Sequence, residues 1–233
     1  MATRTGAKKE SPSLDRAQLV ERALTMADAE SLDAVTIRRL ATEFSVTPMA
    51  LYWHFENKDA LLAAMGDDFF ARLDLARLSD PGQAWDERLR AVLDELVEAL
   101  RRHPAAVSLA TPRILQCESG RQLTELTLRL LHEAGFSVQE AADIARTALQ
   151  TVLMLVSSMP GGEFAVAAEE REEVLAAKRA AISALPDQDF PLLRQSVDAL
   201  TGCEDTEAYF GYGVDLFLAG VRARHAALAL ATV

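Results

Sequence analysis

Three helix starts fall between residues 36 and 58, and their spacing governs what this part of the chain can fold into. Thr36 precedes I-R-R-L-A-T-E-F, Thr47 precedes Pro48, and Asn57 precedes K-D-A-L-L. Threonine or asparagine before a helix offers a side-chain oxygen to the unpaired amides of its first turn. Proline fits the first helical position, where no amide hydrogen bond is needed. Ser45-Val46 predicts a tight turn between the first two of these helices. Starts set about ten residues apart allow only short helices, which are stable only when packed on one another.

The flanking sequence continues in the same style. Asp15 followed by Gln18 resembles a capping box and predicts a helix over 16–30, with Leu19, Val20, Ala23, Leu24 and Ala27 as its apolar stripe. The helix that Asn57 opens continues through A-L-L-A-A-M-G-D-D-F-F-A-R-L, and S-D-P-G at 79–82 breaks the chain. An amphipathic helix follows over 83–102 and ends at His103-Pro104. Another covers 119–134, with Gly135 just past its end. Ser137 and Glu140 form a second capping box. The helix they open is apolar on nearly every side through V-L-M-L-V, which predicts a central position, and Pro160-Gly161-Gly162 stops it. The segment E-E-R-E-E-V-L-A-A-K-R reads as a solvated helix face, Pro186 and Pro191 bracket a loop, and a last helix starts near Thr206. No convincing run of alternating β-branched residues interrupts this pattern, so the expected fold class is all-α.

The formal charge of −11 opposes nucleic-acid binding only if it is spread evenly. It is not, since residues 1–65 carry 8 Lys+Arg against 9 Asp+Glu and the acid gathers beyond them. The first nine residues hold Arg4, Lys8 and Lys9 and no acid, which predicts a basic disordered tail over 1–12. Cys117 and Cys203 match no zinc or redox spacing and read as reduced thiols. The N-terminus lacks an apolar signal region, and the most apolar stretch, 148–159, is too short to span a bilayer. No membrane association is therefore expected. The four histidines, His54, His103, His132 and His225, are scattered, and there is no phosphate-binding glycine loop or nucleophile elbow, so an enzyme is not expected.

Three short helices with a four-residue turn outline a helix-turn-helix unit over 13–60. In its third helix Leu51 and Phe55 lie four apart and can share a small core with Leu40 and Val46. Met49, Ala50, Tyr52, Trp53 and His54 are then left partly or wholly outward. One reading is an aromatic seam against another domain. The other is a DNA major groove. Tyr52 and His54 would then bond phosphates, Pro48, Met49, Ala50 and Trp53 would touch thymine methyls, and Thr47 would reach a base edge or a phosphate. Thr36 joins this DNA-facing set, Arg38 in the first turn after it could pair with guanine, and Lys58 and the amides opening the next helix offer a phosphate site.

The string T-I-R-R-L-A-T-E-F-S-V-T-P-M-A-L-Y-W-H-F-E-N-K-D-A-L-L resembles the DNA-binding domain of TetR-family transcriptional regulators, and is especially similar to the tetracycline-repressor branch. H-P-A-A-V, G-F-S, P-L-L-R-Q and Y-F-G-Y-G-V-D-L-F-L-A-G-V extend the resemblance over 13–230. Ser45 departs from it, standing where the family usually has glycine. The resemblance implies a C-terminal helical domain over 61–233 that binds a small-molecule effector and forms a homodimer. It also implies a cytoplasmic repressor, two recognition helices on double-stranded DNA with a palindromic operator, and release by ligand through movement of the fourth helix, with Asp80-Pro81-Gly82 as a candidate pivot.

The family's dimer bundle, built from its eighth and tenth helices, maps onto Leu149, Leu153 and Val156 and onto Tyr209, Gly213, Phe217 and Gly220. The glycines of that stripe could equally serve close packing within one chain. Ser108 stands where the tetracycline branch has its magnesium-binding histidine, followed by Thr111; Val92, Leu96 and Asp74 replace an asparagine, a phenylalanine and a second histidine. The resemblance with those replacements implies a metal-free, more apolar pocket, needing no cofactor, lined by Val92, Leu96, Ser108, Thr111, Thr127 and Met154 and suited to an apolar or aromatic molecule.

Overall fold

The computed structural model describes residues 15–79, 82–160 and 168–231, and all regular structure within them is helical. The tail expected over 1–12, the Asp80-Pro81 part of the pivot and the Gly161-Gly162 stop lie outside the described residues. Four helices form a head: α1 (Arg16–Ala29), α2 (Ile37–Glu43), α3 (Pro48–Tyr52) and α4 (Lys58–Ala71). A body follows in α5 (Trp85–Arg102), α6 (Val107–Arg113), α7 (Glu118–Glu133) and α8 (Val138–Ser157). Then α9 (Ala168–Ser183), α10 (Pro191–Gln195) and α11 (Val197–Thr201) pack on one another, and α12 (Thr206–Ala231) returns to lie on α5 and α8.

The caps explain most boundaries. Asn57 accepts from the Ala60 amide at 2.8 Å and Ser137 from the Glu140 amide at 3.2 Å. Neither expected capping box closes reciprocally in the expected way. Asp15 accepts from the Ala17 amide at 3.1 Å, and the Glu140 carboxylate accepts from Arg224 of α12 at 2.6 and 2.9 Å. A guanidinium is a stronger partner for a carboxylate than a backbone amide, so the tertiary contact wins. Gly135, at φ +99°, ends α7 by sending the following Phe136 amide back to the Leu131 carbonyl.

Two hydrophobic cores share one helix. Leu19, Leu24, Leu40, Leu51 and Phe55 fill the head. Leu89, Leu93, Leu100, Leu130, Val152 and Leu218 fill the body. Helix α4 gives Leu61, Ala64 and Met65 to the first core and Phe69 and Phe70 to the second. It is a strut between them. Leu109 of α6 also belongs to the head core, so α6 reaches from the body into the head.

Several expectations need adjustment. Helix α3 ends at Tyr52, and the chain turns so that the Phe55 amide bonds the Leu51 carbonyl at 2.9 Å. Helix α8 is not wrapped on all sides: Ala148, Val152 and Val156 face the core while Met154 is 63% exposed. The sequence pattern does not mark α6, α10 or α11, each of which is at most two turns long. The exposed face expected after Pro160 is found on α9, where Glu172, Glu173 and Lys178 are all exposed.

Candidate nucleic-acid interface and effector domain

The interface begins with the turn between α2 and α3. Thr36 caps α2 by accepting from the Arg39 amide at 3.1 Å. Helix α2 then closes with the Ser45 amide on the Thr42 carbonyl and the Val46 amide on the Ala41 carbonyl, both 3.0 Å. That paired closure needs a left-handed residue, and Ser45 supplies it at φ 53°. Glycine would adopt this conformation without a Cβ conflict. The closure turns the chain sharply, and Leu51 and Phe55 then anchor α3 against the head core at 0% and 1% exposure.

With those two anchors fixed, the rest of α3 faces outward. Thr47, Pro48, Met49, Tyr52 and Trp53 are exposed, and Ala50 and His54 are half-buried. Trp53 is 87% exposed and Met49 68%. Covering an indole this bare would remove a large apolar surface from water. Thr47 caps nothing with its side chain and is free to bond outward. Lys58 donates to the Asp33 carbonyl at 3.3 Å, which holds its amine back toward the link between α1 and α2.

Arginines of the head differ sharply. Arg22 bonds Glu43, Arg39 bonds Glu30 in a two-armed pair, and Arg72 bonds both Glu21 and Asp68. The Arg39 contact holds the Glu30 carboxyl below its ordinary range. Arg16 lies over the Phe55 ring at 5.1 Å. Arg38, exposed one residue before Arg39, has no such partner among the described residues. Its guanidinium is free to engage a ligand.

The head is tied to the body at one seam. Asp28, at the end of α1, accepts from His103 Nδ1 at 2.8 Å and from the Ala105 amide at 3.0 Å. On the other side Arg113 of α6 bonds Asp67 of α4 at 2.8 Å and lies over Gly66, where a Cβ would come within 2.6 Å of Arg113 Cγ.

The six expected pocket residues do not converge. Val92, Leu96 and Thr127 are buried, and the Thr127 hydroxyl donates to the Leu123 carbonyl at 2.9 Å. Ser108, Thr111 and Met154 are exposed. Met154 borders a shallow cavity with Gln150, Thr151, Leu155, Ser158 and Tyr209, and the other five line none of the four described cavities. Asp74 accepts from the Arg77 amide at 3.1 Å, which gives it a local role in the turn after α4.

The expected dimer residues also divide. Leu149 and Val156 lie in the chain's own core, and Gly213 packs under Leu155, whose Cδ2 would stand 2.4 Å from an added Cβ. For Gly213 the close packing is therefore within the chain. Leu153, Tyr209 and Phe217 are half-buried, and Gly220 is exposed with open space before it. Periodicity did not single out Tyr212 and Leu216, yet they are exposed on the outward face of α12. An open cavity of about 780 Å³ between α8 and α12 is lined by Leu216, Phe217, Gly220 and Thr147 and by the paired Glu140 and Arg224.

A short helix-turn-helix head strutted onto a helical body is the architecture of a DNA-binding transcriptional regulator. Residues 19–65 match the pattern of bacterial regulatory proteins of the tetR family, and residues 78–225 match the tetracyclin repressor-like C-terminal domain. The chain belongs to the TetR family of transcriptional regulators. It is 27% identical over 217 residues to the class D tetracycline repressor protein of Escherichia coli, covering 92% of each chain. ActR of Streptomyces coelicolor in complex with actinorhodin is 26% identical, with a TM-score of 0.72 over 92% of this chain and 99% of that one. Apo ActR superposes with a TM-score of 0.73 at 24% identity, covering 94% of this chain and 99% of that one.

Proposed function

We propose that this chain is a homodimeric, cytoplasmic repressor that reads a palindromic operator and is released from it by a small aromatic effector. The observation that carries the reading is the outward face of α3. Met49, Tyr52 and Trp53 are exposed on a helix pinned by Leu51 and Phe55, and Arg38 of α2 has no side-chain partner among the described residues. Arg38 would fork onto guanine, Tyr52 and His54 would bond phosphates, and Lys58 would swing from Asp33 to a phosphate.

The dimer would form across the outward faces of α8 and α12, burying Met154, Tyr212, Leu216 and Phe217 around Gly220. Twofold pairing of these faces presents two α3 helices about one DNA turn, ~34 Å, apart.

The effector class rests on two supports. The tetracycline branch's metal-binding histidine is Ser108 here, and a relative of near-complete overlap, ActR, has been solved with actinorhodin. Release would run through the seam, because α6 carries Leu109 in the head core and Arg113 on α4, while Asp28 clasps His103 and Ala105. An effector acts only by binding the released arrangement more tightly than the DNA-bound one.

Two measurements test this. Arg38→Ala and Trp53→Ala should each weaken binding to a selected operator, by about 1–3 kcal/mol for a lost bidentate base contact, while the fold is retained. A helical adaptor with no DNA role would yield no enriched operator for either variant to weaken. Titrating actinorhodin and other apolar or aromatic small molecules into the protein–operator complex should lower operator affinity for at least one of them; unchanged affinity at saturation of bound compound would sink the release model.

A further inference from the structure

Among the described ion pairs of the body, the most buried arginine is also the most loosely held. The Arg88 side chain of α5 is 14% exposed, against 25% for Arg113 and 28% for Arg101. Its bond is a 3.3 Å contact from Nη1 to Glu133, whose side chain is 55% exposed. Its Nε is buried and has no hydrogen-bond partner among the described residues. Arg113, by contrast, reaches Asp67 at 2.7 and 2.8 Å, and Arg224 reaches Glu140 at 2.6 and 2.9 Å. A guanidinium carries five N–H donors, and donors left without acceptors in a partly dry site are destabilising. Structure alone gives Arg88 little reason to be there.

Arg88 forms part of the wall of an open cavity of about 620 Å³ between α5 and α7, a volume within the range of small-molecule sites. The cavity lies on the far side of α7 from Leu123, Thr127 and Leu130, which face the core. It is therefore distinct from the pocket expected around Thr127. Leu75 and Leu126, both packed against the body core, give it an apolar surface. Arg121 and Arg129 also line it, each held by a carboxylate on its own helix, Glu118 at 2.8 Å and Glu125 at 3.4 Å. All four of these side chains are at least half exposed, and such pairs are weak enough to exchange with a ligand.

We infer that this cavity binds an organic monoanion, a carboxylate or sulfonate on an apolar body, with its charge on the Arg88 guanidinium and its body on Leu75 and Leu126. A group with two or more oxygens matches the arginine fork and supplies the acceptors that Glu133 does not. A doubly charged phosphate fits less well, because Glu118, Glu125 and Glu133 stand around the same cavity and repel the second charge. A neutral ligand would leave Arg88 as under-bonded as before. This site requires neither operator nor dimer, so it stands apart from the DNA-binding reading.

The test titrates anilinonaphthalene sulfonate, whose fluorescence rises when it leaves water, into the full-length protein. Phenylnaphthylamine, the same apolar body without the sulfonate, is titrated beside it. Arg88→Met should weaken the sulfonate by roughly tenfold or more, the loss expected for a charged hydrogen bond, and leave the neutral compound within about twofold. Glu133→Gln frees Arg88 from its carboxylate and removes a negative charge from the cavity. It should tighten the sulfonate, by up to about fivefold at low salt. Glu133 is exposed, so this second variant reads the site even where thermal melting shows that Arg88→Met does not fold. A merely structural Arg88–Glu133 pair gives no reason for tighter binding. Absence of sulfonate binding by the parent protein, equal loss of both compounds in Arg88→Met, or sulfonate binding that Glu133→Gln fails to tighten overturns the proposal. None of these results bears on operator selection, which tests the regulator reading separately.

Discussion

His103 Nδ1 stands 2.8 Å from Asp28 Oδ2, which clasps the end of α5 to the end of α1 across the boundary between head and body. The second Asp28 oxygen takes the Ala105 amide at 3.0 Å, so one carboxylate holds both sides of the turn that leads into α6. Both side chains are mostly buried, at 18% and 20% exposure.

This clasp should be measurable as stability. Asp28→Ala leaves the imidazole and the amide without partners in a partly dry site and should cost about 1–3 kcal/mol. Asp28→Asn keeps an oxygen for the Ala105 amide and should cost less than the alanine variant. Urea denaturation of both variants decides this, and equal losses would mean that the amide bond contributes nothing. On the proposed release mechanism, Asp28→Ala should also shrink the change in operator affinity caused by effector.

The opposite side of the same seam gives a second expectation. Gly66 lies in the middle of α4, where alanine would ordinarily gain about 1 kcal/mol of helix propensity. Its Cβ would instead press on Arg113 Cγ and Cβ and on Leu109 Cβ. Gly66→Ala should therefore lower the melting temperature and weaken the Arg113–Asp67 bond, since crowding of this kind typically costs about 1–3 kcal/mol. A more stable variant would show that α6 yields freely.

Ser45 should be a correctable strain. A left-handed non-glycine residue costs about 1–2 kcal/mol, and part of that returns in a glycine variant because the unfolded chain becomes more flexible. Ser45→Gly is expected to stabilise the protein by about 0.5–1 kcal/mol. Ser45→Val, branched at Cβ, should lose more than 1 kcal/mol. Chemical denaturation of the pair checks the ordering.

A pH dependence follows from Asp86. Its carboxylate accepts from Arg222 Nε at 2.7 Å and lies in the first turn of α5, and the Arg222 contact holds its pKa below the ordinary aspartate range. A depressed folded-state pKa contributes stability above the unfolded-state pKa, and that stability disappears as pH falls through the folded value. Asp86→Asn should therefore be less stable than the parent at neutral pH, by about 0.5–1 kcal/mol for an ion pair with this much solvent access. The two should converge in acid. A difference that persists below the carboxylate range would assign the loss to packing.

Much of the head was legible in the sequence because its signals are local. Thr36 and Asn57 mark two helix starts with side chains that bond amides three residues on, Pro48 marks a third by its place in the first turn, and the i, i+4 pair Leu51 and Phe55 fixes which face of α3 is bare. The body depended on partners that sequence spacing does not reveal. Glu140 has the spacing of a capping box, yet its carboxylate is taken by Arg224, far away in sequence. Gly213 and Gly220 sit on one stripe, but only structure separates the one under Leu155 from the one in the open. The six candidate pocket residues lie on different faces for the same reason. Val92 and Leu96 face into the body core, whereas Met154 is on the outer side of α8. Helices α6, α10 and α11 are too short to carry a periodic signal and depend on the elements they pack against.

Operator reading by a dimer is tested by selection from a randomised duplex pool with the full-length protein, with the recovered sequences read out and the mass of the complex measured. A homodimeric repressor should enrich a palindrome whose half-sites lie about one helical turn apart, bound by two copies of the chain. An asymmetric single site bound by one copy, or no enrichment by folded protein at low salt, would contradict it.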